Sequence, residues 1–258
     1  MKIYSALKIG NFHTNHCEDF LISEQVSSER QLIAVMDGCT MGKESVFASM
    51  LIGKILRNVA KERFYKDFID NTPKDLSSCL KEILNALFAQ LKIIKNQLGI
   101  ETEELLSTLI IGVIDMNTTA AEFMTIGDGL LCYDEHLIEY EQNDKPDYLG
   151  YHLQEDFEYW YTSQKQRLSI DSFKDLSICT DGIFSFKNFR NKKNQKEESH
   201  IVRFLLFDKK DLKYDNFLET KIRDLEAKEN HVLTDDLAII RIVVNTAPTT
   251  PLTHHSIV

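Results

Sequence analysis

QLIAVMDGCTMGKES, residues 31–45, opens as an apolar run, meets an acid at Asp37 and passes through Gly38 into a polar stretch. Residues 32–36 are apolar at consecutive positions, which suits a strand over 31–37 covered on both faces. Asp-Gly is the favoured pair for a tight hairpin turn. Here the pair leads instead toward a helix expected over 44–62, with Phe47, Met50, Leu51, Ile55 and Val59 facing inward. Asp37 is therefore a poor hairpin residue. Either it caps that helix or its carboxylate is put to another use.

The same junction recurs. MTIGDG sets Asp128–Gly129, and SICTDG sets Asp181–Gly182, at the ends of apolar strands. Two mirror cases place acids just before a strand: Glu18–Asp19 in CEDFLI and Asp235–Asp236 in LTDDLAII. Taken singly, each Asp-Gly reads as a turn. Strand ends at one edge of a sheet lie close in space, however, so the five junctions can bring their carboxylates together. Ionised and unpaired, those carboxylates would repel one another, and no Lys or Arg adjoins any junction. Oxygen-only ligands select hard cations, which makes Mg²⁺ or Mn²⁺ the natural occupant. Two such ions about 3.5–4 Å apart can share a carboxylate and a water that loses its proton readily, an arrangement suited to hydrolysing a phosphate ester.

Outward from these junctions, the opening residues 3–7 alternate, and further strands are expected at 19–25, 107–116, 120–127, 130–134, 175–181 and 236–244. The clearest helix carries Leu76, Leu80, Ile83, Leu84, Leu87, Leu91, Ile94 and Leu98 on one stripe. Thr72 can cap it, Pro73 suits its first turn, Asp75 completes a box-like start and Gly99 can end it. A third helix is expected near 211–229, with Tyr214, Leu218, Ile222 and Leu225 on one side. Residues 187–199 (KNFRNKKNQKEES) are polar and locally basic: a solvated loop, or a contact for an acidic or phosphorylated partner. Strands dominate, with helices inserted between them and at the end, which points to a layered α+β fold. One domain is expected over 1–245, followed by a flexible tail at 246–258.

Composition narrows the function classes. The 258 residues carry a formal charge of −10, which disfavours nucleic acid as the main partner. No apolar run approaches the roughly 18 residues a membrane-spanning helix needs, and Lys8 interrupts the N-terminus, so no signal peptide is expected. Five cysteines form no CxxC pair, in keeping with a reducing, cytoplasmic setting.

The order of these motifs resembles that of the metal-dependent PP2C-type (PPM) protein Ser/Thr phosphatases, as a divergent bacterial-type member. The match runs through Glu18–Asp19, Asp37–Gly38 to Gly42, Ser107–Thr108, Gly127–Asp128–Gly129, Thr180–Asp181–Gly182 and Asp235–Asp236–Leu237–Ala238, and spans residues 3 to 244. The resemblance implies a four-layer αββα sandwich: two antiparallel sheets flanked by helix pairs, with metals at one end between the sheets. It further implies that Asp37 bridges two Mn²⁺ or Mg²⁺ ions. Asp181 and Asp235 would hold the first ion; Glu18 and the Gly38 carbonyl would hold the second. Asp19 would hydrogen-bond metal-bound water or replace Glu18 as ligand, and Asp128 with Asp181 would bind a weaker third ion. A metal-activated water would attack phosphorus in line, with no phospho-enzyme. The implied partner is a phosphoprotein phosphorylated by an opposing Ser/Thr kinase, with no nucleic acid or membrane involved and the protein acting as a monomer.

The chain departs from the family pattern in several places. An Arg that usually precedes the acidic pair is missing; the first Arg is Arg30. His13 and His16 occupy the region, with Lys8 upstream. His13 is the first choice to donate to phosphate, the alternative being two ordinary loop histidines. The turn through Gly38–Gly42 has one extra residue, Gly129 stands for a Ser and Ala238 for a Thr. Cys17, Cys39 and Cys179 flank proposed ligands and are expected as small buried fillers. Tyr159, Trp160 and Tyr161 lie in the segment 140–172, where relatives carry a mobile flap. They are either core and surface aromatics or substrate contacts. The leading expectation is a phosphoserine/phosphothreonine phosphatase. A non-catalytic module that binds a phosphoprotein or kinase, or a phosphohydrolase of small esters, are the alternatives.

Overall fold

Strands that are apolar at every position need cover on both faces, and in the computed structural model they have it. The structure describes residues 1–13, 15–42, 44–70, 75–141 and 146–244. The strands in chain order are β1 (Lys2–Lys8), β2 (Phe20–Gln25), β3 (Arg30–Met36), β4 (Leu109–Asp115), β5 (Ala121–Ile126), β6 (Gly129–Tyr133), β7 (His136–Tyr140), β8 (Arg167–Ile170), β9 (Asp175–Cys179), β10 (Phe186–Lys187), β11 (Val232–Leu233) and β12 (Leu237–Val243). The helices are α1 (Val46–Asp70), α2 (Leu76–Leu98), α3 (Phe157–Ser163), α4 (Glu198–Leu206) and α5 (Phe217–Ala227). Two antiparallel five-stranded sheets form, in the orders β1-β12-β9-β6-β7 and β2-β3-β4-β5-β8, with β10 and β11 as a separate short pair.

Period-two alternation inside the doubly apolar strands divides the core into three zones. In β3, Leu32, Ala34 and Met36 face α1 and α2, where Ile52, Leu56, Leu84, Leu87 and Leu91 pack. Ile33 and Val35 point the other way, against Ile178, Ile240 and Ile242 of the second sheet. The outer face of that second sheet (Tyr4, Ala6, Ile239) is covered by Leu205 of α4 and Ile222 and Leu225 of α5. The result is an α+β sandwich of four layers, αββα.

Several boundaries differ from the sequence expectation. α1 runs on to residue 70, and its buried face is Ile52, Ile55, Leu56, Val59 and Ala60; Met50 is exposed. α2 starts at Leu76 with Asp75 as its N-cap, its Oδ1 accepting from the Ser78 N–H at 2.8 Å. Thr72 and Pro73 lie outside the described residues, as does the tail 246–258. Gly99 closes α2 with φ 64°, but Leu98 is exposed. The third expected helix is shorter, 217–227, and leaves Tyr214 exposed outside it. Residues 187–199 are not wholly irregular: a 3₁₀ turn forms at 192–194 and α4 begins at Glu198. Among the described residues no helix is long and apolar enough to cross a membrane.

None of the three Asp-Gly steps closes a hairpin. Asp37–Gly38 carries the chain from β3 toward α1. Asp128–Gly129 crosses from β5 in one sheet to β6 in the other, with φ 129° at Gly129, a conformation side chains rarely adopt. Asp181–Gly182 opens a 3₁₀ turn after β9. A genuine hairpin, between β6 and β7, uses Asp134–Glu135 instead, both at positive φ.

Candidate active site

Each acidic junction is held by its own backbone lock. The Asp37 N–H donates to Thr108 Oγ1 at 3.2 Å, and the Thr108 N–H donates back to the Asp37 carbonyl at 2.9 Å, so the end of β3 is pinned to the start of β4. The Gly38 N–H donates to the Glu18 carbonyl at 3.1 Å, which sets the entry to β2 beside the exit from β3. Thr180 Oγ1 donates to Asp19 Oδ2 at 2.6 Å and accepts from the Ala238 N–H at 2.9 Å, joining β9, β12 and the acidic pair. At Gly182 a Cβ would sit 1.8 Å from the Asp236 carbonyl oxygen, so only glycine lets the 181 and 235 junctions approach this closely.

The locks draw the acids into one electrostatic neighbourhood. Loss of surrounding water pushes Asp19 up to about 8. Hydrogen bonds from Thr180 and with Asp37 pull the other way, and Asp181 and Asp236 add repulsion. Asp37 is raised well above the usual carboxylate range by burial, then by Asp19, Asp181 and Asp235. Asp181 is pushed up to about 6 by burial, then by Asp128 and Asp235. Burial also raises Asp128. Among the described residues none of Asp19, Asp37, Asp128 and Asp181 forms an ion pair with Lys or Arg. Buried acids left this way retain protons or recruit a cation. The donor set is all oxygen, which suits a hard divalent ion. The carboxyls are not already drawn in around one point: among the described residues no three His, Cys, Asp or Glu side chains form a closed ligand set. Asp19 and Asp37 lie near enough to perturb each other's ionisation.

Adjacent acids play different parts. Asp236 is buried, and its carboxylate accepts from the Gly10 N–H at 2.7 Å and from the Glu18 N–H. It holds the loop before β2 rather than facing a ligand. Asp235 is about half exposed, and its Oδ1 lies 3.1 Å from His13 Nε2. His13 Nδ1 is 3.6 Å from both Glu18 Oε1 and Asp236 Oδ2. Of the two histidines in this region, His13 is the one the structure sets among the acids.

Tyr148 is a site residue that sequence reasoning missed. Burial raises its pKa first, and the neighbouring Cys39, Asp37 and Asp128 raise it further. The Leu149 N–H donates to the Ser107 carbonyl at 3.0 Å, which seats this loop beside the end of β3. His152 clamps the loop, with Nε2 2.8 Å from Asp147 Oδ1 and Nδ1 2.6 Å from Glu155 Oε1. Of the aromatics singled out in the sequence, Trp160 is fully buried with its ring 4.3 Å from that of Phe88, Tyr161 is buried and Tyr159 is exposed. They are core and surface residues. Cys39 and Cys179 are buried, as expected of small fillers, whereas Cys17 is only half-buried; all five thiols are free.

A search of curated protein sequences finds no match. Solved structures of bacterial phosphatases share the fold at low identity. The SpoIIE phosphatase domain with a regulatory fragment, from Bacillus subtilis, aligns with TM-score 0.56 at 13% identity over 95% of this chain. The chain spans 64% of the length of that structure. The SiaA-PP2C domain of Pseudomonas aeruginosa aligns with TM-score 0.58 at 12% identity, covering 94% of this chain and 86% of that one. A bacterial serine phosphatase aligns with TM-score 0.59 at 11% identity, covering 95% and 98%. The family model described as Protein phosphatase 2C matches residues 13–231, well over half of the sequence. Its motif order, its layered fold and this match agree, and the chain belongs to the protein phosphatase 2C family.

Proposed function

We propose that the protein hydrolyses phosphoserine and phosphothreonine in a phosphoprotein with the help of Mn²⁺ or Mg²⁺. The observation that supports this most strongly is the gathering of Asp19, Asp37, Asp128 and Asp181, with half-exposed Asp235 at their edge, from five separate junctions into one neighbourhood without a paired Lys or Arg among the described residues. In this assignment Asp37, Asp181 and Asp235 would hold one ion, and Asp37, Glu18 and the Gly38 carbonyl would hold a second. Asp19 would steady the set or supply a ligand, and Asp128 with Asp181 would offer a weaker third position. When bound, such ions supply neutralising charge and an acidified water.

The chain's own residues do the rest. His13, whose Nε2 lies 3.1 Å from Asp235 Oδ1, is the group that would turn to donate to a phosphate oxygen where relatives use Arg. Cys17 and Cys179 have thiols pushed upward by burial, so neither offers a thiolate near neutral pH. Attack by water, with no phospho-enzyme, is what the family resemblance implies. Five free thiols suit a reducing compartment such as the cytoplasm, and a Ser/Thr kinase must make the esters that are consumed. In p-nitrophenyl phosphate with Mn²⁺, the protein should release phosphate, and Asp37→Asn or a chelator should lower the rate at least about 100-fold. Activity that survives both would overturn the proposal.

A further inference from the structure

The acidic site has an unexpected rim. Phe12, next to His13, and Phe189 are 70% and 55% exposed and face each other with ring centroids 6.1 Å apart. The Asn11 and Phe12 N–H groups donate to the Leu233 and Thr234 carbonyls, and Leu233 pairs with Phe186, so the turn at 10–13 and the segment after 186 form one continuous ledge. The two rings together make a small apolar spot on this rim.

Beyond Phe189 the ledge is basic and built. Asn188 is buried: its N–H donates to Gln195 Oε1 at 2.7 Å, its Nδ2 to the Glu229 carbonyl, and its Oδ1 accepts from the Asn191 N–H. Gln195 Nε2 donates to the Phe186 carbonyl and the Lys196 N–H to His231 Nε2. These bonds hold the loop in one shape while Arg190, Lys192 and Lys193 stay exposed. Lys187 and Lys196 are tied to Glu198 and Glu229. Among the described residues Arg190, Lys192 and Lys193 have no carboxylate partner. On a chain of net charge −10, three free cations on a braced loop beside an acidic site stand out.

We infer that the Phe12/Phe189 pair and the Arg190–Lys193 loop form a docking ledge for the acidic sequence flanking a phosphorylated residue, with an apolar side chain of the substrate seated on the two rings. The inference rests on the phosphatase reading for the use of the ledge, not for its binding. Charge complementarity selects the partner: acidic residues of the substrate are repelled by the carboxylates at the site and attracted by the ledge, so the phosphate enters next to His13 with its flank on the ledge. Rim pairs are individually weak, but three acting together amount to roughly a tenfold change in affinity, about 1.4 kcal/mol.

The test uses peptides bearing a non-hydrolysable phosphonate analogue of phosphoserine, flanked either by Asp/Glu and one Leu or by Lys and one Leu. They are titrated at about 50 mM salt, where rim charges are weakly screened. The acid-flanked peptide should bind at least about tenfold tighter. The combined variant Arg190→Glu, Lys192→Glu, Lys193→Glu should abolish that preference while p-nitrophenyl phosphate turnover stays unchanged. Equal binding of the two peptides, no binding of either, or a preference that survives the charge reversal overturns the inference. So does cosedimentation with vesicles containing phosphatidylserine that the charge reversal abolishes, if the peptides are not discriminated. Retained peptide preference without any turnover supports the ledge and rejects the phosphatase reading instead.

Discussion

Asp235 and Asp236 are neighbours in sequence with opposite surroundings. Asp236 is buried and spends its oxygens on the Gly10 and Glu18 N–H groups; Asp235 is half-exposed and meets His13. Removing a buried acceptor strands its donors, at about 1–3 kcal/mol, so Asp236→Ala should lower stability by that amount. Asp235→Asn should leave the melting temperature within about 2 °C and reduce phosphate release at least about tenfold. Thermal unfolding and turnover measured on both variants check the contrast. Unfolding alone, or activity loss alone, in both would contradict it. The sequence showed only two adjacent acids before a strand. Which one faces the site depends on the loop from Gly10 to Glu18, packed more than 200 residues away. Tyr148 was hidden for a similar reason: nothing in its local pattern tells that its loop seats on Ser107, beside Asp37.

At the scale of elements, the doubly apolar strands and α2 were legible because their patterns are long and their caps are local. Gly99 ends α2 as expected, but the cap is Asp75 rather than Thr72, so the helix starts later than its sequence suggested. β7, with its mostly exposed residues, and the four-residue β8 carry too few buried positions to show a period. α3 is hidden because seven residues make only two turns. The loop held by His152 is such a cryptic element. Burial opposes a charge on His152, yet Asp147 and Glu155 outweigh it and raise its pKa. A histidine raised on folding contributes stability that is full below its unfolded value, near 6.5, and is lost as pH rises through the folded value. His152→Gln should therefore cost about 1–2 kcal/mol at pH 6, or roughly 2–8 °C in melting temperature, and distinctly less at pH 8.5. A loss that is the same at both pH values would show that the clamp is not ionic.

For the whole molecule, the strand ends were the legible part: five acidic junctions, far apart in sequence, meet at one end of two stacked sheets. The fold makes this meeting necessary, because β2, β3, β9 and β12 all begin or end there and the Asp128 crossover joins the two sheets at the same edge. What the sequence left open was the state of the acids. Burial and mutual repulsion oppose the charged forms of Asp19, Asp37 and Asp181. An ion that binds only the folded chain relieves this repulsion and stabilises it by mass action. The most direct measurement is anomalous X-ray scattering near the manganese absorption edge from crystals soaked in Mn²⁺. Peaks within coordination distance of Asp37 and of Asp181 or Asp235 are the expected result. Crystals saturated with Mn²⁺ whose acid cluster shows no anomalous peak would contradict a metal-dependent site.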